Sequence, residues 1–66
     1  MIPQYSRVQL TTDRFQGEGA PSGMIGYVIE CYADGNYEVE FSDEKGITIA
    51  QVVAARDDIR IVSDLQ

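Results

Sequence analysis

An all-β fold, five short strands arranged as a small barrel, is predicted by three features of this 66-residue chain. Apolar and polar residues alternate in short runs, as in Tyr37-Glu38-Val39-Glu40-Phe41, the period-two pattern of half-buried strands. Turn-forming clusters separate these runs, at Pro21-Ser22-Gly23, Ala33-Asp34-Gly35 and Asp43-Glu44-Lys45-Gly46. The one stretch with helical character, Val53-Ala54-Ala55-Arg56, is too short to stand as an independent helix.

In chain order, Tyr5 to Leu10 alternates as Ser6, Val8, Leu10 against Tyr5, Arg7, Gln9 and reads as the first strand. Thr11 to Ser22 is a long loop rich in Thr, Gly, Glu and Pro, with Phe15 folded back as its apolar anchor. Gly26 lies inside the second strand, where a glycine marks a sharp bend or a close backbone approach. The fourth strand is predicted from Ile47 to Val52, where two isoleucines flank Thr48 at strand spacing. Asp57-Asp58 is the cap of a single 3₁₀ turn, and Ile59 to Val62 is the last strand.

The hairpin from Gly23 to Ser42 decides which residues face the core. A two-residue Asp34-Gly35 loop would set Glu30 opposite Val39, placing a carboxylate on an apolar face. A three-residue loop, Ala33-Asp34-Gly35, with Gly35 left-handed in a bulge avoids that. Tyr32 then faces Asn36, and Cys31, Ile29 and Tyr27 fall opposite Tyr37, Val39 and Phe41. Glu30, Glu38 and Glu40 take the other face. The core predicted on this register is Val8, Leu10, Ile25, Tyr27, Ile29, Cys31, Val39, Phe41, Ile47, Ile49, Val53, Ile59 and Ile61.

Length makes this one domain over residues 1–66, with a small core for which self-association is a reasonable source of further burial. Eleven acids against five bases give a net charge of −6, which repels phosphate backbones. A single cysteine forms no internal disulfide and fits a reducing compartment. With neither a signal-peptide pattern nor an apolar run of membrane-spanning length, the expected location is the cytoplasm, with no membrane contact.

The block G-x-x-G-x-V (Gly23 to Val28) resembles the start of KOW-type barrels. YEVEF-x-DE-x-G-x-T-I-A (Tyr37 to Ala50) and DIRIV (Asp58 to Val62) are similar to a family of very short bacterial proteins of unknown function. That resemblance runs from Arg7 to Val62 and implies an all-β, five-stranded SH3-like barrel with a 3₁₀ turn before the last strand. Its motifs specify turns and core, so it carries no activity or catalytic residue with it.

Residues that suggest chemistry each have a simpler structural reading. Gly17 to Gly23 superficially matches a phosphate loop, but Ser22 breaks the G-x-G-x-x-G spacing and a strand follows where a helix is needed. Cys31 lacks the activating base a nucleophilic thiol requires, since the chain has no histidine, and the hairpin register turns it inward. The carboxylates of Glu30, Glu38, Glu40, Asp43-Glu44 and Asp57-Asp58 match no cation-binding loop and read as a solvated face and turn caps. No catalytic, metal or cofactor site is therefore assigned.

The functional expectation is a small acidic, non-enzymatic protein-interaction module that self-associates, binds a basic partner protein, or both. Its narrowest version neutralises that partner as an immunity protein or antitoxin does. The candidate surface is the outer hairpin face, Val28, Glu30, Tyr32, Glu38 and Glu40, where apolar residues lie among glutamates. The alternative is a nucleic-acid-binding KOW-like domain, disfavoured because the available tyrosines sit in a negative field. Proline-rich peptide binding is disfavoured too, since the chain has no tryptophan and no aromatic cluster in its first loop.

Overall fold

Five strands, β1 (Arg7–Leu10), β2 (Ile25–Cys31), β3 (Tyr37–Ser42), β4 (Thr48–Ala54) and β5 (Ile59–Ile61), build the computed structural model, which describes residues 1–63. They form one antiparallel sheet in the order β4-β3-β2-β1-β5, so the first and last strands are neighbours. Among the described residues the remaining regular elements are two 3₁₀ turns, Gln16–Glu18 in the long loop and Arg56–Asp58 before β5. The fold is all-β, as the sequence predicts.

The turns form for the reasons read from the sequence. Tyr32 N–H donates to Asn36 O at 2.8 Å, Gly35 adopts φ +90°, and Asp34 Oδ1 accepts from Asn36 N–H. The hairpin loop is thus Ala33-Asp34-Gly35 with glycine in the left-handed region. In the next turn Asp43 Oδ1 accepts from both Lys45 and Ile47 N–H, and Gly46 supplies the positive φ.

Beyond the turn the predicted register fails. Cys31 pairs with Tyr37 and Glu30 with Glu38 as expected, but a bulge at Ile29 then sets Val28 opposite Val39 and Tyr27 opposite Glu40. One inserted residue reverses every side chain beyond it. Gly26 and Val28 therefore face the core, Ile25 and Tyr27 are exposed, and Ile29 is half-buried. On the β1 side Val28 N–H donates to Ser6 O and its carbonyl accepts from Tyr5 N–H.

β4 is reversed in the same way. Phe41 pairs with Ala50 but Ser42 pairs with Thr48, so Ile49 is the extra residue of a second bulge. Ala50, Val52 and Ala54 point inward, while Ile47, Ile49 and Val53, expected in the core, are exposed. Volume explains this choice. Tyr37 lies opposite Ala54 and Phe41 opposite Ala50, so each buried aromatic meets a methyl group. Isoleucine at those positions would overfill the layer. Ile61 is also exposed, on the three-residue edge strand β5.

Ile2, outside the predicted core, is completely buried. Its N–H donates to Tyr37 Oη at 3.2 Å and its carbonyl accepts from Cys31 Sγ at 3.4 Å. The chain's start thus closes one end of the core, and Cys31 faces inward as a partly buried, hydrogen-bonded thiol.

The long loop is fixed by Phe15, buried as expected, and by its neighbour Arg14, whose guanidinium lies 4.2 Å from the Phe15 ring centroid. Arg14 also forks onto Asp58, with Nη2 2.6 Å from Oδ2 and Nε within 3.2 Å of both oxygens. Asp58 Oδ2 accepts in addition from Ala55 N–H and so caps the second 3₁₀ turn. These contacts, the Arg14 hydrogen bond first, hold the Asp58 carboxyl below its ordinary pKa of 3.8. A group depressed in the folded state stabilises it above the unfolded pKa, and that contribution fades as pH falls through the folded value. Asp58→Ala is expected to lower stability by about 2 kcal/mol at neutral pH, from a lost cap and a lost charge-assisted pair. Urea titrations at neutral pH and well below pH 3.8 check this, since the gap between wild type and variant must narrow in acid.

Candidate functional site

The exposed face of the β2-β3-β4 sheet is the most chemically distinctive surface of the molecule. Alternation in β3 sends Tyr37, Val39 and Phe41 inward, which leaves Glu38 and Glu40 outward. On the turn side of the Ile29 bulge, β2 keeps the predicted phase, so Glu30 stands directly opposite Glu38. Like charges at directly opposed positions of a sheet are destabilising. Among the described residues no ion pair joins Glu30, Glu38 or Glu40 to a base; the ion pair found there is Arg14–Asp58.

Two hydroxyls bind to this acidic strip. Tyr32 Oη donates to Glu38 Oε1 at 2.7 Å, and Thr48 Oγ1 donates to Glu40 Oε2 at 3.1 Å. The Glu38 hydrogen bond, with the negative field of Glu38, Glu30 and Asp34, raises the Tyr32 phenol above the usual tyrosine range. Four of the five residues singled out from the sequence, Glu30, Tyr32, Glu38 and Glu40, therefore share this region. The fifth does not. Val28 is fully buried at 0% exposure, because the Ile29 bulge turns it into the core.

The apolar component comes from residues the sequence reading put inside. Tyr27 lies beside Glu40 on the strand ladder and Val53 beside Glu38, both about half exposed, with Ile49 nearby on β4. Each was missed because periodicity assigns a face only within an uninterrupted register. No local signal marks Ile29 or Ile49 as bulged. The surface combines carboxylates that have no ion-pair partner among the described residues, a tyrosine and aliphatic side chains.

The other sequence candidates take structural roles. Gly17 and Glu18 complete the first 3₁₀ turn, and Gly23 N–H donates to Leu10 O, tying the loop to β1. Among the described residues no group of three or more Cys, Asp and Glu side chains converges as a cation site would require. No helix there is long and apolar enough to cross a membrane.

A family model described as a domain of unknown function (DUF4926) matches residues 4–61, nearly the whole chain. No curated protein and no solved structure matches it.

Proposed function

The chain belongs to the DUF4926 family of domains of unknown function, and we propose that it serves as a protein-interaction module whose acidic sheet face receives a basic partner protein. The observation that carries this reading is the Glu30–Glu38 cross-strand pair, flanked by Glu40 and by exposed Tyr27 and Val53. A fold gains nothing from opposing two carboxylates, whereas a partner's lysine or arginine seated between them relieves the repulsion. The scaffold reads as an SH3-like barrel, supported by the order β4-β3-β2-β1-β5 and the 3₁₀ turn before β5. The module works in the cytoplasm by contact and not by catalysis.

The test compares wild type with Glu30→Gln/Glu38→Gln as immobilised bait in lysate of the source cell. A basic protein retained by wild type and lost with the double variant supports the reading. Equal retention by both, or none by wild type, overturns it. An accompanying low-salt titration with single- and double-stranded RNA separates the nucleic-acid-binding alternative, which requires binding there. Stability should move the opposite way from binding. Glu30→Gln, which relieves the repulsion without touching the Tyr32–Glu38 hydrogen bond, is expected to gain about 0.5 kcal/mol in low-salt urea denaturation. The gain should shrink as salt screens the pair.

A further inference from the structure

The two edges of the sheet are protected very differently. β5 is three residues long and carries Arg60, a short charged edge of the kind that resists pairing. β4 is seven residues long, Thr48-Ile49-Ala50-Gln51-Val52-Val53-Ala54, with no charge, no proline and three valines or isoleucines.

The hydrogen-bond phase shows which backbone groups of β4 are spare. Tyr32 and Asn36 are bonded across the hairpin, so two residues further along Glu30 and Glu38 bond each other, and Tyr37, Val39 and Phe41 direct their backbone groups to β4. Their partners Ala54, Val52 and Ala50 reciprocate. The N–H and C=O of Gln51 and Val53 therefore point away from the sheet, and both residues are exposed. The open stretch has defined ends. At one, Ile49 is bulged and Gly19 runs alongside, where an added Cβ would lie 3.7 Å from the Ile49 carbonyl oxygen. At the other, Ala55 N–H is taken by Asp58.

We propose that the β4 edge pairs antiparallel with β4 of a second copy of this chain, about a two-fold axis at Val52, with Gln51 of each copy bonded to Val53 of the other. The pattern of charge along the edge permits this occupant. With a net charge of −6, two copies repel over most approaches, yet along this edge neither presents a charged side chain. Antiparallel pairing also brings the end bearing Glu44 and Lys45 toward the end bearing Arg56 and Asp57, both of mixed sign. A two-fold contact is self-complementary and closed, so it ends at a dimer with one continuous ten-strand sheet. The interface uses backbone groups of the rim and leaves Glu30, Glu38 and Glu40 open to the partner proposed above, with the Val53 side chain bordering both surfaces.

Sedimentation velocity of the full chain, carried up to the concentrations used for NMR, tests the pairing. Wild type should pass from monomer to dimer, with Gln51 and Val53 amides gaining exchange protection as concentration rises. Val53→Lys places a lysine opposite Glu38 and on the edge, which keeps the monomer folded and blocks pairing. Gln51→Pro removes an N–H that the monomer does not use. Both variants should remain monomeric at every concentration, with circular dichroism confirming that they fold. Glu30→Gln/Glu38→Gln should dimerise like wild type, which separates this interface from the acidic-face reading. A wild type that stays monomeric throughout overturns the proposal, as does a dimer that survives in both edge variants or is lost in the glutamine variant.

Discussion

Replacing Gly26 with alanine is expected to cost about 3 kcal/mol or more, because the new methyl group has nowhere to go. A Cβ at this position would stand 2.5 Å from the Glu40 carbonyl oxygen and 2.6 and 2.8 Å from two carbons of the Phe41 ring. Phe41 is fully buried between Gly26 on β2 and Ala50 on β4, so the ring has no free direction in which to yield. A chain of this length has a total stability on the order of 3 to 10 kcal/mol, and the substitution removes a large part of it. Urea denaturation monitored by circular dichroism reads the effect. The double variant Gly26→Ala/Phe41→Leu should be less destabilised than the two single effects summed, since removing the ring relieves two of the three close approaches. An unchanged urea midpoint for Gly26→Ala would contradict this account of the core.

Ile2→Ala is the second large effect, expected at about 2–4 kcal/mol for a buried aliphatic side chain whose cavity cannot fully collapse. Residues near a chain terminus are ordinarily tolerant of change, so this sensitivity is specific to the observed packing. Its mechanism has a second readout. Ile2 O accepts the Cys31 thiol hydrogen bond, and loosening the N-terminus uncovers that sulfur. The Cys31 thiol should therefore react faster with a disulfide reagent in Ile2→Ala than in wild type. Tyr37→Phe leaves the Ile2 N–H without its acceptor and should cost about 1 kcal/mol by the same denaturation assay. If Ile2→Ala matches wild type in both stability and thiol reactivity, the N-terminal residues do not seal the core.

Much of the fold is legible in the chain because turns are local chemistry. Gly35 and Gly46 sit where a positive φ is required, and Asp34 and Asp43 supply the side-chain oxygens that close each turn. The close approach at Gly26, one of the two readings its place in the strand allows, is present, as are the Phe15 anchor and the 3₁₀ turn at Asp57-Asp58. Around the candidate surface, Glu30, Tyr32, Glu38 and Glu40 were readable because they lie within a few residues of a turn that fixes their register. Val28 lies one residue past the Ile29 bulge and was therefore assigned to the wrong face.

By itself, then, the sequence determined the strand order along the chain, the turn geometries and the faces of the residues that flank the Ala33-Asp34-Gly35 turn. Tertiary structure decided which apolar residues enter the core. Ile47, Ile49 and Val53 are more apolar than Ala50 and Ala54, yet the alanines are buried. Hydrophobicity alone ranks residues by their gain on burial, but the space opposite Phe41 and Tyr37 admits only a small side chain. Two single-residue bulges satisfy that packing, and neither leaves a pattern in the local sequence. They also put Tyr27, Ile49 and Val53 on the surface, and so set both the acidic-apolar face and the open β4 edge.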